Sequence, residues 1–469
     1  MEHLEAYAAK LMEQAKLPGA FIGFAKDGET VFAKGLGFGD VESQTEITLD
    51  TVFGIGSITK SFTCVGIMLL QEAGKLSVTD PVSDYLPEFR TADEALTRRI
   101  TIGNLMSHTA GLPSLPSLYY AMRRSMEIDP AVKEMPSSID LTAHEPIDTY
   151  GELMDFIASL DVKLLGEPGT EFSYSNDGYA LLGAIIERVS GQSYESYVKE
   201  HLLDPAGMTN TVFLIEDLEN QPNIATLYTS KKGENGKEVF AAPIWWDAPA
   251  MRAAGFLKST GRDMLAYAEI FRTGGLVGET RILTKESVEQ MIGNYAGLEP
   301  GRHYGYGFMV TTDFRGGTLV EHGGAIKGVA AQMCIVPEQG ITCVVLTNLD
   351  GAPSTELLGA TLNTAQALPV EEPIMSYADS PVSADSLQEY VGQFGSGEGE
   401  KLEITADDAG LSLTVLGTTF SLRPVGTDSF VFQTPTGLEK WIRFNRDGEG
   451  KVNRVAFHFR QLLKLTEEA

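Results

Sequence analysis

One stretch, from Phe53 to Leu70, most constrains what this chain can fold into. Glycines precede Ser57, Lys60 follows three residues later, and an apolar run continues behind them. Glycine fits a tight turn, and residues i and i+3 share one face of a helix. The pattern predicts a buried helix that runs to about residue 73, with the hydroxyl of Ser57 and the amine of Lys60 side by side at its start. Such a pair is a candidate nucleophile and base.

The helix start also matters for the chemistry of this pair. The positive end of the helix dipole disfavours an ammonium ion and would lower the pKa of Lys60 from its reference of about 10.4. A buried lysine can then act as a neutral base. The spacing alone is weak evidence, because Ser196 and Lys199 repeat it inside an ordinary predicted helix. The chain must therefore supply further groups if Ser57 is a nucleophile.

The composition excludes several classes of function. The chain has 469 residues and a net charge of −28, a length that suggests two or three domains and a charge that repels nucleic acid. The odd number of cysteines and their apolar settings argue against a disulfide framework; they are Cys64, Cys334 and Cys343. The seven histidines are scattered, so we expect no metal and no other cofactor.

The sequence also gives expectations for location and partners. No apolar run reaches the roughly 18 residues that suggest a membrane span, and the N-terminal segment lacks the apolar core of a signal peptide. We therefore expect a cytoplasmic protein without a membrane span. A small molecule or short peptide is the expected partner, and a homo-oligomer stays open.

Mixed helix and strand patterns fill the first 370 residues. Helices are predicted at about 3–16, 57–73, 150–160, 177–190, 193–204, 260–273, 284–293 and 354–367, and strands at 20–24, 29–38, 306–312, 328–336 and 342–348. Residues 114–150 contain four prolines and are predicted to be an irregular insertion, of the kind that often rims a site.

The C-terminal part has a different texture. A linker rich in Pro, Ser and acidic residues is predicted at 371–385. After it, short strands at even spacing between about 401 and 465 predict a small antiparallel barrel at 386–469. No catalytic constellation is visible in the barrel sequence, and a ligand-holding, packing or lid role stays open for it.

Two further stretches carry candidate functional groups. Tyr174 and Asn176 are two residues apart, so on an extended loop they point the same way, and a tyrosine near a lysine can shift towards phenolate and transfer protons. His322, Gly323 and Gly324 suggest a glycine-rich edge strand at which a substrate can pair. Taken singly, Tyr174 fits a packing aromatic and His322 a structural histidine.

Together the three stretches resemble the serine beta-lactamase and penicillin-binding-protein superfamily, in its class C-like branch of peptidases and esterases. The resemblance covers residues from about 5 to 365, and the C-terminal part is similar to the lipocalin-like barrel of some members. The motifs that carry it are Ser57-Ile-Thr-Lys60, Tyr174-Ser-Asn176 and His322-Gly-Gly324, supported by Leu105 to Pro113, Ala254 to Thr260 and Tyr304 to Gly307.

The resemblance implies an α+β fold, in which an antiparallel sheet flanked by helices and a helical subdomain form a hydrolase domain at 1–370. It also implies roles for the candidate residues. Ser57 is acylated, Lys60 and Tyr174 share the proton transfers, and Asn176 orients Lys60 and the substrate. His322, Gly323 and Gly324 bind the substrate. The backbone N–H groups of Ser57 and Ala325 form the oxyanion hole.

One departure from the superfamily pattern narrows the expected substrate. Beta-lactamases and transpeptidases of this superfamily usually carry a lysine where this chain has His322, and that lysine receives a substrate carboxylate. Weak beta-lactamase activity at most is therefore expected. A histidine here favours a peptidase or amidase for short peptides, with D-residues as one option. A carboxylesterase with the same machinery is the alternative, and a penicillin-binding sensor that acylates without turnover is another.

Overall fold

The structure, a computed structural model, describes residues 1–135, 139–234, 236–380 and 384–465. It contains a nine-stranded antiparallel sheet with helices around it and a closed eight-stranded antiparallel barrel near the C-terminus. The α+β class predicted from the sequence is therefore confirmed. Across the described residues, no helix combines the length and apolar character needed to cross a membrane.

Both ends of the larger unit contribute to its sheet. The N-terminal strand Gly19–Lys26 pairs antiparallel with Ile341–Thr347, so segments more than 300 residues apart in sequence lie side by side. In spatial order the nine strands are Ala296–Glu299, Arg302–Tyr304, Met309–Phe314, Gly317–Ile326, Val329–Val336, Ile341–Thr347, Gly19–Lys26, Glu29–Asp40 and Thr45–Glu46.

The strand that carries His322, Gly317–Ile326, lies inside the sheet. It pairs with the following strand through its C-terminal half, but with the preceding strand, Met309–Phe314, only up to Glu321. The prediction of an edge strand is therefore wrong for the strand as a whole. The half that begins at His322 nevertheless extends beyond the preceding strand and keeps a free edge among the described strands.

Apolar side chains cover both faces of the sheet. Helices Glu2–Ala15 and Ser354–Ala365 pack on one face, and Gly261–Thr273 packs on the other. Every residue of the central strand Ile341–Thr347 is buried, as expected for a strand covered on both sides.

The helical part of the larger unit surrounds the predicted Ser57 helix. A 3-10 turn, Gly56–Ile58, leads into the helix Thr59–Glu72, on which Asn176–Ser190 packs. All residues from Thr59 to Met68 are buried, which explains the uninterrupted apolar pattern. The remaining helices are Val82–Tyr85, Glu94–Thr97, Ile102–Met106, Ser117–Ile128, Tyr150–Ser159, Tyr194–Val198, Arg252–Gly255 and Lys285–Met291.

The prediction of an irregular segment over 114–150 is wrong for residues 117–128, which form a helix. Pro116 occupies the N-cap of this helix, and Pro130 follows its last residue, Ile128, by two. Pro116 does not disrupt the helix, because backbone N–H groups at a helix start have no acceptor within the helix. Pro130 lies beyond the last helical residue, where proline is common because it cannot continue the helix. Residues 136–138 of this segment lie outside the described residues.

The sequence patterns predict seven strands for the barrel, and the structure has eight. The missed strand, Gly392–Gly395, is half glycine and has Phe394 as its one usual strand former, yet it closes the barrel by pairing with the strands on both sides. The eight strands are Gly392–Gly395, Lys401–Asp407, Gly410–Val415, Thr418–Gly426, Ser429–Gln433, Glu439–Arg446, Val452–Phe457 and Arg460–Lys464. Apolar side chains pack its interior, which favours a packing or lid role over a ligand-holding one.

The described part of the predicted linker lies against both units. Arg315 Nη2 of the larger unit donates to Pro373 O at 2.9 Å, and Arg423 Nη1 of the barrel donates to Tyr377 O at 3.0 Å. Residues 381–383 of the predicted linker lie outside the described residues.

Candidate active site

Ser57 and Lys60 lie side by side at the start of the buried helix, as the spacing predicts. Lys60 Nζ lies 3.2 Å from Ser57 Oγ, 2.8 Å from Asn176 Oδ1 and 2.6 Å from Ala254 O. The Lys60 side chain is fully buried. A neutral amine has two N–H groups, which can donate to Asn176 Oδ1 and Ala254 O. Its one lone pair then faces the Ser57 hydroxyl.

The surroundings of Lys60 favour this neutral form. Burial lowers the pKa of Lys60 well below its usual value, and the Arg460 guanidinium lowers it further. The Glu398 carboxylate acts in the opposite sense but does not outweigh burial. The pKa shift that the sequence assigns to the helix dipole therefore has a larger source in desolvation.

Tyr174 and Asn176 stand where a loop turns into the Asn176–Ser190 helix, whose N-cap is Ser175. The Tyr174 hydroxyl interacts with Ser57, and Lys60 Nζ lies 4.7 Å from the centre of the Tyr174 ring. Burial raises the pKa of Tyr174 to about 12, although Arg460 and Ser57 lower it. The expectation of a shift towards phenolate is thus wrong, because burial disfavours the charged form.

His108 fixes the loop that carries Tyr174. The Ser175 N–H donates to His108 Nδ1 at 3.1 Å, and the His108 and Tyr174 rings lie 4.2 Å apart. His108 itself has a positive φ of 58°, a conformation that is uncommon for residues other than glycine. The sequence Ser107 to Pro113 predicts that His108 is a hydrogen bonder that fixes a loop, and these contacts agree with that prediction.

Two glycines bring the Ser57 turn against the sheet. A Cβ on Gly324 would lie 1.9 Å from Ile55 O and 2.9 Å from Ser57 N, and a Cβ on Gly56 would lie 2.6 Å from Ala325 N. Side chains at these positions would push the two backbones apart. The backbone nitrogens of Ser57 and Ala325 are therefore neighbours, as an oxyanion hole requires.

His322 lies on the same strand and is held as a neutral ring. Its Nδ1 lies 2.6 Å from Gly323 O, which can only accept, so Nδ1 carries the proton and Nε2 accepts from the Tyr304 hydroxyl at 2.9 Å. Burial, with a smaller contribution from Lys60, lowers the pKa of His322 to about 3. His322 therefore offers no positive charge to a substrate carboxylate at neutral pH.

The barrel reaches into this site with two charged side chains. The guanidinium of Arg460 lies 4.4 Å from the centre of the Tyr174 ring, and Arg460 Nε donates to Glu398 Oε2 at 2.8 Å. Glu398 Oε1 lies 3.3 Å from Asn176 Nδ2. Both charged residues thus belong to the neighbourhood of Ser57.

The sequence patterns identify neither Arg460 nor Glu398 as part of the site, nor Tyr304 as the partner of His322. Both charged residues lie in a turn or at a strand end of the barrel, where a charged side chain carries no signal of its own. Only the fold shows that these turns enter the cleft. Among the residues that the structure describes, no three His, Cys, Asp or Glu side chains cluster closely enough to hold a metal ion.

Two cavities meet at Ser57. The first, of about 270 Å³, we call the apolar cavity. Its lining side chains are Leu118, Tyr119, Met122, Met126, Val132, Met135, Asn176, Trp246, Phe256, Ile326, Lys327 and Arg460. The second, of about 790 Å³, we call the wide cavity; it lies between the barrel and the larger unit, and Tyr174 and His322 line it.

Two known protein families match this chain, one over its larger unit and one over its barrel. The family described as Beta-lactamase matches residues 4–367, and a domain of unknown function, DUF3471, matches residues 378–468. The chain belongs to the beta-lactamase family. The domain of unknown function spans all eight strands of the barrel.

Individual proteins that resemble this chain share between 25% and 29% of its residues in the matched regions. Protein flp of Staphylococcus aureus (strain MW2) is 27% identical over 349 residues, which cover 72% of this chain but only 61% of that protein, less than two thirds of its length. The octameric penicillin-binding protein homologue from Pyrococcus abyssi is 29% identical, with a TM-score of 0.70 over 98% of this chain and 99% of that one. EstCE1, a hydrolase with promiscuous acyltransferase activity, is 25% identical, with a TM-score of 0.58 over 78% of this chain and 98% of its own.

Proposed function

We propose that the protein is a serine hydrolase that forms an acyl-enzyme on Ser57 and cleaves short peptides or amides. The observation that carries this proposal is the environment of Lys60. A fully buried amine with a lowered pKa lies 3.2 Å from the Ser57 hydroxyl. Such an amine can take the hydroxyl proton as Ser57 attacks a carbonyl carbon.

The neighbouring groups support the remaining steps. The backbone N–H groups of Ser57 and Ala325 stabilise the oxyanion, and each such donor is typically worth about 2.7–4 kcal/mol in the transition state. The Tyr174 phenol gives its proton to the leaving group and regains one from the Lys60 ammonium. Asn176 holds Lys60 through its Oδ1.

An amide is favoured over an ester by the protonation state of Tyr174. An amine leaving group must be protonated as it departs, whereas the phenolate of an aryl ester can depart without a proton donor. A tyrosine with a pKa of about 12 keeps its proton at neutral pH and is suited to this task. The neutral His322 argues against beta-lactams, which carry a carboxylate. D-residues remain one option for the substrate.

The division of the chain is also a proposal. The hydrolase domain is assigned to residues 1–370, the linker to 371–385 and the barrel domain to 386–469, with the barrel completing the cleft through Arg460. Assembly as a homo-oligomer is suggested by the octameric state of the Pyrococcus abyssi homologue. A cytoplasmic location remains part of this proposal.

The test is a substrate panel with the Ser57→Ala variant. We expect the wild-type enzyme to hydrolyse short acyl p-nitroanilides and the variant to lose at least about 10⁴-fold in kcat. A chromogenic cephalosporin should be turned over weakly at most. Equal hydrolysis by wild type and Ser57→Ala would refute the proposal.

A carboxylesterase is the second candidate, and the apolar cavity beside Ser57 favours it. In that case p-nitrophenyl esters are cleaved and the matching anilides are not. Intact-mass spectrometry separates a third outcome, a sensor, because a persistent adduct on Ser57 without product release would mean acylation without turnover.

A further inference from the structure

We propose that the apolar cavity receives the acyl half of the substrate and selects an uncharged, apolar acyl group without a free α-ammonium. The inference rests on the proposed function, since it concerns the group that Ser57 takes over. The inference narrows the substrate class of the proposed hydrolase. An aminopeptidase requires a free α-amino group on the acyl side, and the apolar cavity is proposed to disfavour that group.

The positions of the proton donor and the nucleophile assign the two halves of the substrate. Tyr174 lines the wide cavity and is absent from the lining of the apolar cavity. The leaving group must lie within reach of its proton donor, so it occupies the wide cavity. The acyl group then extends to the other side of Ser57, where Asn176 and Ile326 begin the apolar cavity.

One face of a single helix forms a wall of this cavity. Leu118, Met122 and Met126 follow each other at intervals of four residues on Ser117–Ile128, so their side chains lie on the same side. Unbranched methionine side chains adapt to differently shaped apolar groups. With about 270 Å³, the cavity is smaller than the roughly 300–1,000 Å³ typical of drug-sized ligands. It therefore suits an acyl group of moderate size.

The lysine in the lining is not available to a ligand. Lys327 Nζ donates to Asp129 Oδ2 at 2.6 Å and to Ala242 O at 3.0 Å, and a third bond goes to Ile244 O. The three donors of an ammonium are thereby used. Trp246 Nε1 donates to the same Asp129 oxygen at 2.8 Å. This buried ion pair braces the cavity wall and presents no free charge.

The second cation in the lining is also paired, because Arg460 Nε donates to Glu398 at 2.8 Å. The described residues that line the apolar cavity include no Asp or Glu. An ammonium buried there would meet apolar side chains and cations whose carboxylate partners are already engaged, so it would find no free counter-ion, which is costly. An acylated or absent α-amino group avoids that cost.

The first experiment compares acyl groups that differ only in the α-amino group. We expect 3-phenylpropanoyl p-nitroanilide to be cleaved by the wild-type enzyme with a kcat/KM at least about tenfold higher than either enantiomer of phenylalanyl p-nitroanilide, measured below the pKa of the amine. Faster or equal cleavage of a phenylalanyl anilide would overturn the inference while leaving the proposed hydrolase intact. No Ser57-dependent cleavage of any anilide or ester would overturn both.

The second experiment tests the location of the acyl group. Along a series of p-nitrophenyl esters from acetate to hexanoate, kcat/KM should rise about three- to fourfold per methylene in the wild type. Met122→Trp should lower the hexanoate-to-acetate ratio at least about tenfold, because the indole fills the cavity. Ile128→Trp is the matched control, since Ile128 is 70% exposed on the same helix, and it should keep the wild-type ratio. A flat ester series, or an unchanged ratio in Met122→Trp, would overturn the assignment.

Discussion

At the scale of single residues, Gly324 shows how tightly the site is built. It has no positive φ, so its role is not conformational freedom. Its missing side chain lets the strand approach the Ser57 turn, since a Cβ would lie 1.9 Å from Ile55 O. The neighbouring nitrogens of Ser57 and Ala325 depend on this approach.

Gly324→Ala should therefore separate the two backbones. We expect kcat to fall at least about 100-fold, the usual cost of losing one oxyanion donor, with a cooperative thermal transition still present. Gly39→Ala is a control in the same sheet, because a Cβ there meets its nearest atom at an ordinary 3.5 Å. Retention of wild-type kcat by Gly324→Ala would contradict the proposed oxyanion hole.

The sequence predicts which residues form the site better than it predicts their pKa values. Ser57, Lys60 and Asn176 could be predicted to be neighbours, because the spacing of the first two and the order of known motifs both indicate it. The pKa of Tyr174 could not be predicted, since it depends on burial that several distant segments create together. The neutrality of His322 is a similar case, because it follows from a fold that encloses the ring.

At the scale of elements, the hairpin at residues 457–460 decides how the barrel meets the cleft. Its two turn residues, His458 and Phe459, both have positive φ, 45° and 65°. Turns of this type usually contain Asn or Gly, so the sequence offers no turn signal here, and its pattern predicts one continuous strand at about 452–459. The structure ends the strand at Phe457 and thereby brings Arg460 to Tyr174.

The two charges that the barrel supplies should shift the pH dependence of activity in opposite directions. Lys60 must be neutral to act as a base, so kcat/KM rises with pH through its pKa. Arg460 lowers that pKa and Glu398 raises it. Arg460→Gln should therefore move the acidic limb of the kcat/KM profile to higher pH, and Glu398→Gln should move it to lower pH.

A pH profile of kcat/KM for the free enzyme measures both shifts. Arg446→Gln is the control, because Arg446 is paired with Asp428 within the barrel and should leave the limb in place. Movement of the limb in the same direction in the Arg460 and Glu398 variants would contradict this electrostatic account.

At the scale of the whole molecule, the barrel and the larger unit build one site. Phe459 O accepts the Tyr174 N–H at 3.1 Å, and Gln461 Nε2 donates to Phe172 O at 3.0 Å. The loop that carries Tyr174 is thus hydrogen-bonded to the barrel. The sequence separates the two units by composition but does not reveal this contact, because it joins residues about 290 positions apart.

Loosening this contact should lower activity without touching any group near Ser57. Arg454 of the barrel donates to Leu165 O at 3.1 Å and to Glu171 Oε1 at 2.9 Å. Arg454→Met removes both bonds, so we expect a loss of about 1–3 kcal/mol in the free energy of unfolding, a fall in kcat as the Tyr174 loop shifts, and faster proteolysis in the segment 368–380. Lys451→Met removes an ion pair whose lysine is 75% exposed and should change neither kcat nor stability measurably. Faster proteolysis of the Arg454 variant with an unchanged kcat would show that Tyr174 is held by the larger unit alone.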